Sequence, residues 1–278
     1  MRIEKALIPV AGMGTRMLPL TAAMPKALLP LADDQGNLRA AIDWIVREAL
    51  SAVTRVGLVV SPSQLQPLQQ YFAAASSDNC PLEQRIDYII QHNPAGFGDA
   101  VLLGRSYIGN APFMVMLGDH VHLSASQETC ARQVSAEMAR PGAAAVIGMQ
   151  RVDEQELPRV GTAAGEQIGD NLYRCTAFIE KPSIQQARAK LTMPGLPTGK
   201  YLAHCGIYAF CSEIFDHLAD LSARPRNPDQ EVQLADAQSL LLERRPCDYY
   251  LLEIKGQSLD IGTPEGYIRA WQVVGRRS

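Results

Sequence analysis

The sequence predicts a three-layer α/β protein in which helices cover both faces of a mixed, mostly parallel sheet. Short β-branched and aliphatic runs alternate with helix-like segments, the pattern of βαβ units feeding one sheet. Two of those runs, VGLVV and FMVML, are apolar throughout, as strands buried on both faces require. No internal repeat, low-complexity tract or linker divides the 278 residues, so one domain over residues 1–278 is expected.

In order, KALIPV reads as a strand, AAIDWIVREALSAV as a helix, VGLVVS as a strand and QLQPLQQYFAAA as a helix. IDYIIQ follows as a strand, DAVLLGRSYI as a helix and FMVMLGD as a strand. The second half offers AAAVIGMQ, YRCTAFIEKP, AHCGIYAF and DYYLLEI as strands, with helices over 183–191, 212–218 and 230–243. PGLPTG and SARPRNPD are loops by their Pro and Gly content. Thr263, Pro264 and Glu265 form an N-cap and first turn, so a helix is expected over TPEGYIRAWQVVGRR.

A formal net charge of −3 gives no basic field for holding nucleic acid, so affinity for phosphate must come from a few placed residues. The six cysteines, Cys80, Cys130, Cys175, Cys205, Cys211 and Cys247, include no CxxC pair, which argues against a zinc site or a disulfide framework. MRIEKALIPV lacks the apolar stretch and cleavage site of a signal peptide, and no apolar run approaches the roughly 18 residues that span a bilayer. No membrane partner and a cytoplasmic location are expected.

The stretch AGMGTRMLPLTAAMPKALLPL follows the first strand, at the carboxyl end where an open α/β sheet has its ligand crevice. Gly12 and Gly14 permit positive φ and close approach, and successive N–H groups in such a loop can cradle phosphate oxygens. Arg16 and Lys26 add fixed positive charge, one as a planar fork and one as a point charge. The spacing fits neither GxGxxG nor GxxxxGK[ST], which disfavours a dinucleotide-dependent oxidoreductase and a Walker loop. Alone, the glycines would be a tight turn; with Arg16, Pro25 and Lys26 beside them, they suit a nucleoside triphosphate.

KALIPVAGMGTRMLPLTAAMPKALLPL also resembles the N-terminal signature of the bacterial sugar nucleotidyltransferases. The resemblance continues in order through QHNPAGFGDAVLLG, PFMVMLGDH, PRVGTA, FIEKPS, HCGIYAF, EVQLADAQSLLLE and SLDIGTPEGYIRA, nearly the whole length. It implies a Rossmann-like fold of the glycosyltransferase-A type and transfer of a nucleotidyl group from UTP to α-D-glucose 1-phosphate, giving a UDP-sugar and pyrophosphate. It further implies Mg²⁺ as cofactor and a homodimer or homotetramer.

The same resemblance assigns roles. Ala11, Gly12, Gly14 and Thr15 would line the nucleotide's phosphates, and Gln91 and Gly96 would meet the pyrimidine edge. A Gln amide offers the donor and acceptor that an imide face requires. Arg16 would stabilise the leaving phosphates and Lys26 the α-phosphate, while Asp119 and Asp260, each after a strand, would hold the metal. Gly118, Gly161, Glu180, Lys181 and Gly206 would take the sugar phosphate, with Lys181 on its phosphate. Pro182 is expected to force an extended Lys181.

Read singly, each aspartate is a turn or N-cap residue, Glu180 and Lys181 are an exposed ion pair, and His120, His122 and His204 are structural or merely polar. Two features depart from the family. Asp99 stands where a polar uncharged or imidazole residue is usual, and ADDQGNLRAAIDW replaces a short Lys-Pro segment. A sibling specificity (dTTP, CTP, GTP or another sugar) and a catalytically silent regulatory paralogue remain open alternatives.

Overall fold

The computed structural model of the chain describes residues 2–33, 35–76, 81–224 and 231–275. The first strand, β1 (Lys5–Pro9), sets the layering because its side chains divide between two cores. Ala6 and Ile8 pack into one apolar cluster and Leu7 into the other, on the opposite face of the sheet.

After β1 come the short helix α1 (Leu20–Ala23), the hairpin β2 (Pro30–Ala32) and β3 (Leu38–Ala40), and α2 (Ala41–Ala52). β4 (Arg55–Val60), α3 (Pro62–Ala75), β5 (Ile86–Ile90), α4 (Phe97–Leu103), α5 (Arg105–Ile108) and β6 (Phe113–Met116) complete the first half. Next are β7 (His120–Ser124), α6 (Cys130–Met138), β8 (Ala145–Asp153), β9 (Thr162–Gln167), β10 (Leu172–Ile179) and α7 (Ile184–Lys190). The chain continues through β11 (Lys200–Phe210), α8 (Ile214–Ala223), α9 (Leu234–Arg244), β12 (Tyr249–Glu253), β13 (Gly256–Asp260) and α10 (Pro264–Val274).

The main sheet has nine strands in the order β5-β4-β1-β6-β11-β8-β12-β10-β9. Pairing is parallel from β5 to β6 and again between β8 and β12, and antiparallel elsewhere, so the sheet is mixed as expected, but its pairings are not mostly parallel, because β11 and β10 run against their neighbours. One core joins this sheet to α2, α3, α6 and α10, and the other joins it to α4, α7, α8 and α9. β1 lies between β4 and β6, so the chain leaves it at the point where strand order reverses. A crevice opens at such a switch point, above the strand carboxyl ends.

Several expectations need correction. The helix read across DAVLLGRSYI is divided at Gly104, where an added Cβ would collide with Leu7 of β1. The helix expected over 230–243 begins at Leu234, since Val232 is engaged instead by backbone hydrogen bonds to Ala95 and Gly98. Lys181 is not extended: its φ is 49°, a left-handed step that turns the end of β10 into the Ser183 cap of α7 within four residues. In the ADDQGNLRA departure, Ala32 and Leu38–Ala40 belong to the β2–β3 hairpin, and Asp33 accepts the N–H groups of Gln35 and Asn37. Thr263 caps α10 with Pro264 in its first turn, as expected. Cys175, Cys205, Cys211 and Cys247 are free thiols, and Cys130 is buried. Cys80, residues 225–229 of SARPRNPD, Gln230 and the final GRR residues 276–277 lie outside the described residues.

Candidate active site

The glycine loop leaves the carboxyl end of β1 with Ala11 buried and Gly12, Thr15 and Arg16 exposed. Gly14 has φ 65°, a conformation a side chain would strain, and starts a tight turn over Thr15–Met17. Two braces hold the loop. The Thr21 hydroxyl donates to the Gly14 carbonyl at 2.9 Å, and the buried Gln64 amide donates to the Gly12 carbonyl at 3.4 Å. Gln64 also completes the capping box of α3 with Ser61.

Asp119 emerges just beyond β6, and β7 then pairs antiparallel with β13 so that His120 stands in register with Asp260. Ligand-type atoms of Asp119, His120 and Asp260 lie within 4.8 Å of one another. Asp119 accepts from Lys26 Nζ at 2.6 Å, and its other oxygen lies 2.9 Å from His120 Nδ1. The Gly262 N–H donates to Asp260 Oδ1 at 2.6 Å. A Cβ on Gly262 would fall 2.8 Å from oxygens of both Asp119 and Asp260 and 3.1 Å from Arg16 Nη2. Residues from the beginning, middle and end of the chain thus meet around one glycine.

Burial opposes the charge of Asp119, yet the His120 hydrogen bond and the His120 and Lys26 charges hold its carboxyl well below the usual carboxylate range. Burial pushes His120 down, but the bond and charge of Asp119, aided by Asp260, leave it raised. Among the described residues Arg16 has no hydrogen bond or ion pair. That leaves an exposed guanidinium beside two carboxylates, the arrangement expected of a group reserved for an anionic ligand.

Gln91 follows β5 almost fully buried, and Gly96 precedes α4 with φ 111°. A side chain on Gly96 would strike Glu231 and Val232, so the EVQLAD segment braces this loop. On the opposite side, a Cβ on Gly161 would lie 2.7 Å from Glu180 and about 3.1 Å from His204 and Phe178, which stack at 4.7 Å. Partial burial raises the pKa of Glu180, and Lys181, 3.6 Å away, counters it. Tyr208 links the two ends: beyond its burial, the charges of Glu180 and Asp119 both raise its pKa. Gly206, at φ 86°, lies against His120, and Gly118 lies against Pro9 and Val10 of β1.

The three histidines separate in role. His122 is buried with Nε2 2.8 Å from the Cys205 carbonyl, and His204 is buried against Phe178, which fits a structural reading. His120 instead joins the two aspartates. No local sequence signal marks this role, because its partner Asp260 arrives only through the β7–β13 pairing. The sequence signals that mark Gln64 and Gly262 are the Ser61-x-x-Gln64 spacing of a capping box and the turn DIGTP.

Burial lowers His122 and His204 from 6.5 to about 3. Unfolded, these imidazoles protonate near 6.5, so between about 6.5 and 3 the unfolded chain binds more protons and stability falls as pH falls. The melting temperature should therefore drop on acidification through that window, less steeply for His204→Gln. An unchanged slope in the variant would contradict the buried neutral imidazole.

The chain matches the family described as nucleotidyl transferase over residues 5–276. UTP–glucose-1-phosphate uridylyltransferase of Bacillus subtilis is 31% identical, over 96% of this chain and 89% of the relative. UTP–glucose-1-phosphate uridylyltransferase 1 of Staphylococcus saprophyticus is 29% identical, over 97% of this chain and 91% of that one. Among solved structures, a UDP-glucose pyrophosphorylase complexed with UDP-glucose superimposes with a TM-score of 0.81 and 27% identity, over 99% of this chain and all of that one. A UTP-bound enzyme from Acinetobacter baumannii shares the fold, with a TM-score of 0.76 at 24% identity over 99% of this chain and 94% of its own. Among the described residues no helix is long and apolar enough to cross a membrane.

Proposed function

This chain belongs to the nucleotidyl transferase family, and from that premise we propose that it makes UDP-glucose and pyrophosphate from UTP and α-D-glucose 1-phosphate. The observation that carries the reading is the meeting of Arg16, Asp119 and Asp260 around Gly262, with Lys26 on Asp119. A triphosphate needs such a mixed site: cations for its oxygens and carboxylates for the metal that accompanies it.

The phosphate oxygen of the sugar 1-phosphate attacks the α-phosphorus of UTP in line and pyrophosphate leaves. That oxygen is already ionised near neutral pH, so neither a general base nor an enzyme nucleophile is needed. Arg16 neutralises charge on the leaving phosphates, and Lys26 moves between Asp119 and the α-phosphate. Ala11, Gly12, Gly14 and Thr15 present loop backbone to the phosphates, and Gln91 and Gly96 meet the uracil. Glu180, Lys181, Gly118, Gly161 and Gly206 form the sugar-phosphate side, with Lys181 on the phosphate. Asp119 and Asp260 would hold Mg²⁺ through their carboxylate oxygens, the donors this hard cation takes, with His120 bonded to Asp119. Bound there, the ion supplies charge neutralisation to the phosphate oxygens. The residues' own part is to hold both substrates in line.

A single nucleotidyltransferase domain is part of this proposal, supported by one sheet that takes strands from Lys5 to Glu253. A cytoplasmic, homodimeric or homotetrameric enzyme completes it, the oligomer to be measured by light scattering. A thermal-shift screen against UTP, dTTP, UDP-glucose and UDP-galactose with Mg²⁺ tests the substrate assignment. A ligand at 100 times its Kd stabilises by about 2.7 kcal/mol. UTP and UDP-glucose should give the largest shifts; a larger response to dTTP would favour the sibling specificity.

A further inference from the structure

Asp99, the departure in the base-reading segment, is placed against Gln91. Gln91 is 4% exposed, and its backbone N–H is tied to the Val60 carbonyl at 2.8 Å. Its side-chain Nε2 donates to Asp99 Oδ2 at 2.7 Å. The mounting of Asp99 is equally fixed. It lies in the first turn of α4, where the Gly98 N–H donates to the Val232 carbonyl and the Val232 N–H to the Ala95 carbonyl, both at 2.8 Å.

A carboxylate can only accept hydrogen bonds, whereas an amide carries a donor end and an acceptor end that differ little in shape. Opposite Asp99, the amide has one permitted orientation: NH₂ toward the carboxylate, carbonyl away from it. The reverse would set two acceptors together beside a buried chain. Gln91 Oε1 has no partner among the described residues and is not among the buried unpartnered atoms, so it remains open to a ligand.

We propose that Asp99 is a positioning residue that locks the Gln91 amide with its carbonyl toward the base, so that the site selects a pyrimidine carrying an imide N–H. This rests on the uridylyltransferase reading above. Uracil presents N3–H, which donates to the fixed carbonyl. Cytosine presents a bare N3 acceptor at the same place, and the carbonyl would then face a lone pair. An asparagine at position 99 could donate or accept, releasing the amide to turn and serve either base.

The test measures equilibrium binding of UTP and of CTP, with Mg²⁺ and without sugar phosphate, for the wild type, Asp99→Asn and Asp99→Ala. Values of kcat and KM with each nucleotide accompany it. The wild type should prefer UTP, and both variants should lose at least about tenfold of that preference, chiefly in Kd and KM. Melting temperatures should stay close to that of the wild type. A variant that loses affinity for UTP and CTP equally, keeping their ratio, would show that Asp99 only supports α4 and would overturn the lock. A wild type that neither binds nor turns over UTP would overturn the function itself, a result distinguishable before any variant is made.

Discussion

Asp119→Ala is expected to lower kcat by at least about 10³-fold while leaving the fold intact. Three losses coincide in this one substitution. A carboxylate proposed to hold the metal disappears, Lys26 loses the acceptor that fixes its ammonium at 2.6 Å, and the partner of His120 Nδ1 is gone. Loss of one preorganised electrostatic group alone commonly costs about 10²–10³ in rate, and the metal's contribution adds to that. The melting temperature should fall, because Lys26 and Asp119 are mostly buried and the truncation leaves the Lys26 ammonium and His120 without their carboxylate, but the fold should persist. The checks are pyrophosphate release in a coupled assay and the far-UV circular dichroism spectrum. Near-normal release from folded Asp119→Ala would refute the assignment.

Arg16→Ala should give the second-largest effect, a loss of about 10²–10³ in kcat. Arg16 is exposed and has no described protein partner, so its removal should move stability by no more than about 0.5 kcal/mol. A large catalytic loss with an unchanged melting temperature separates a ligand-directed cation from a structural one. Arg16→Lys should recover only part of the rate, since an ammonium cannot match the two-pronged contact of a guanidinium with phosphate oxygens. Full activity in Arg16→Ala would remove Arg16 from the chemistry.

Much of this arrangement was legible in the sequence, for definite reasons. The strands of the parallel half announce themselves because burial on both faces demands continuous apolar runs, as in Arg55–Val60 and Phe113–Met116. The glycine loop followed from its position after the first such strand. The second half was less visible: β7 and β9 are short and partly polar, and the pairing of β7 is set by β13, far away in the chain. His120 belongs to this class, since its place beside Asp260 depends on the β7–β13 register. Lys181 shows another limit. The preference of a residue before proline for extended backbone is a local bias, and the turn into α7 overrides it at φ 49°. The bond between Gln91 and Asp99 was hidden similarly, because it spans the turn from β5 into α4 and only the folded loop reveals it.

The most direct test of a shared triphosphate site is pyrophosphate release by the purified chain from UTP and α-D-glucose 1-phosphate with Mg²⁺, alongside Asp260→Ala. Release by the wild type that requires both substrates, and its loss in Asp260→Ala, is the predicted result. No release by the wild type, or release that survives the loss of Asp260, would contradict it.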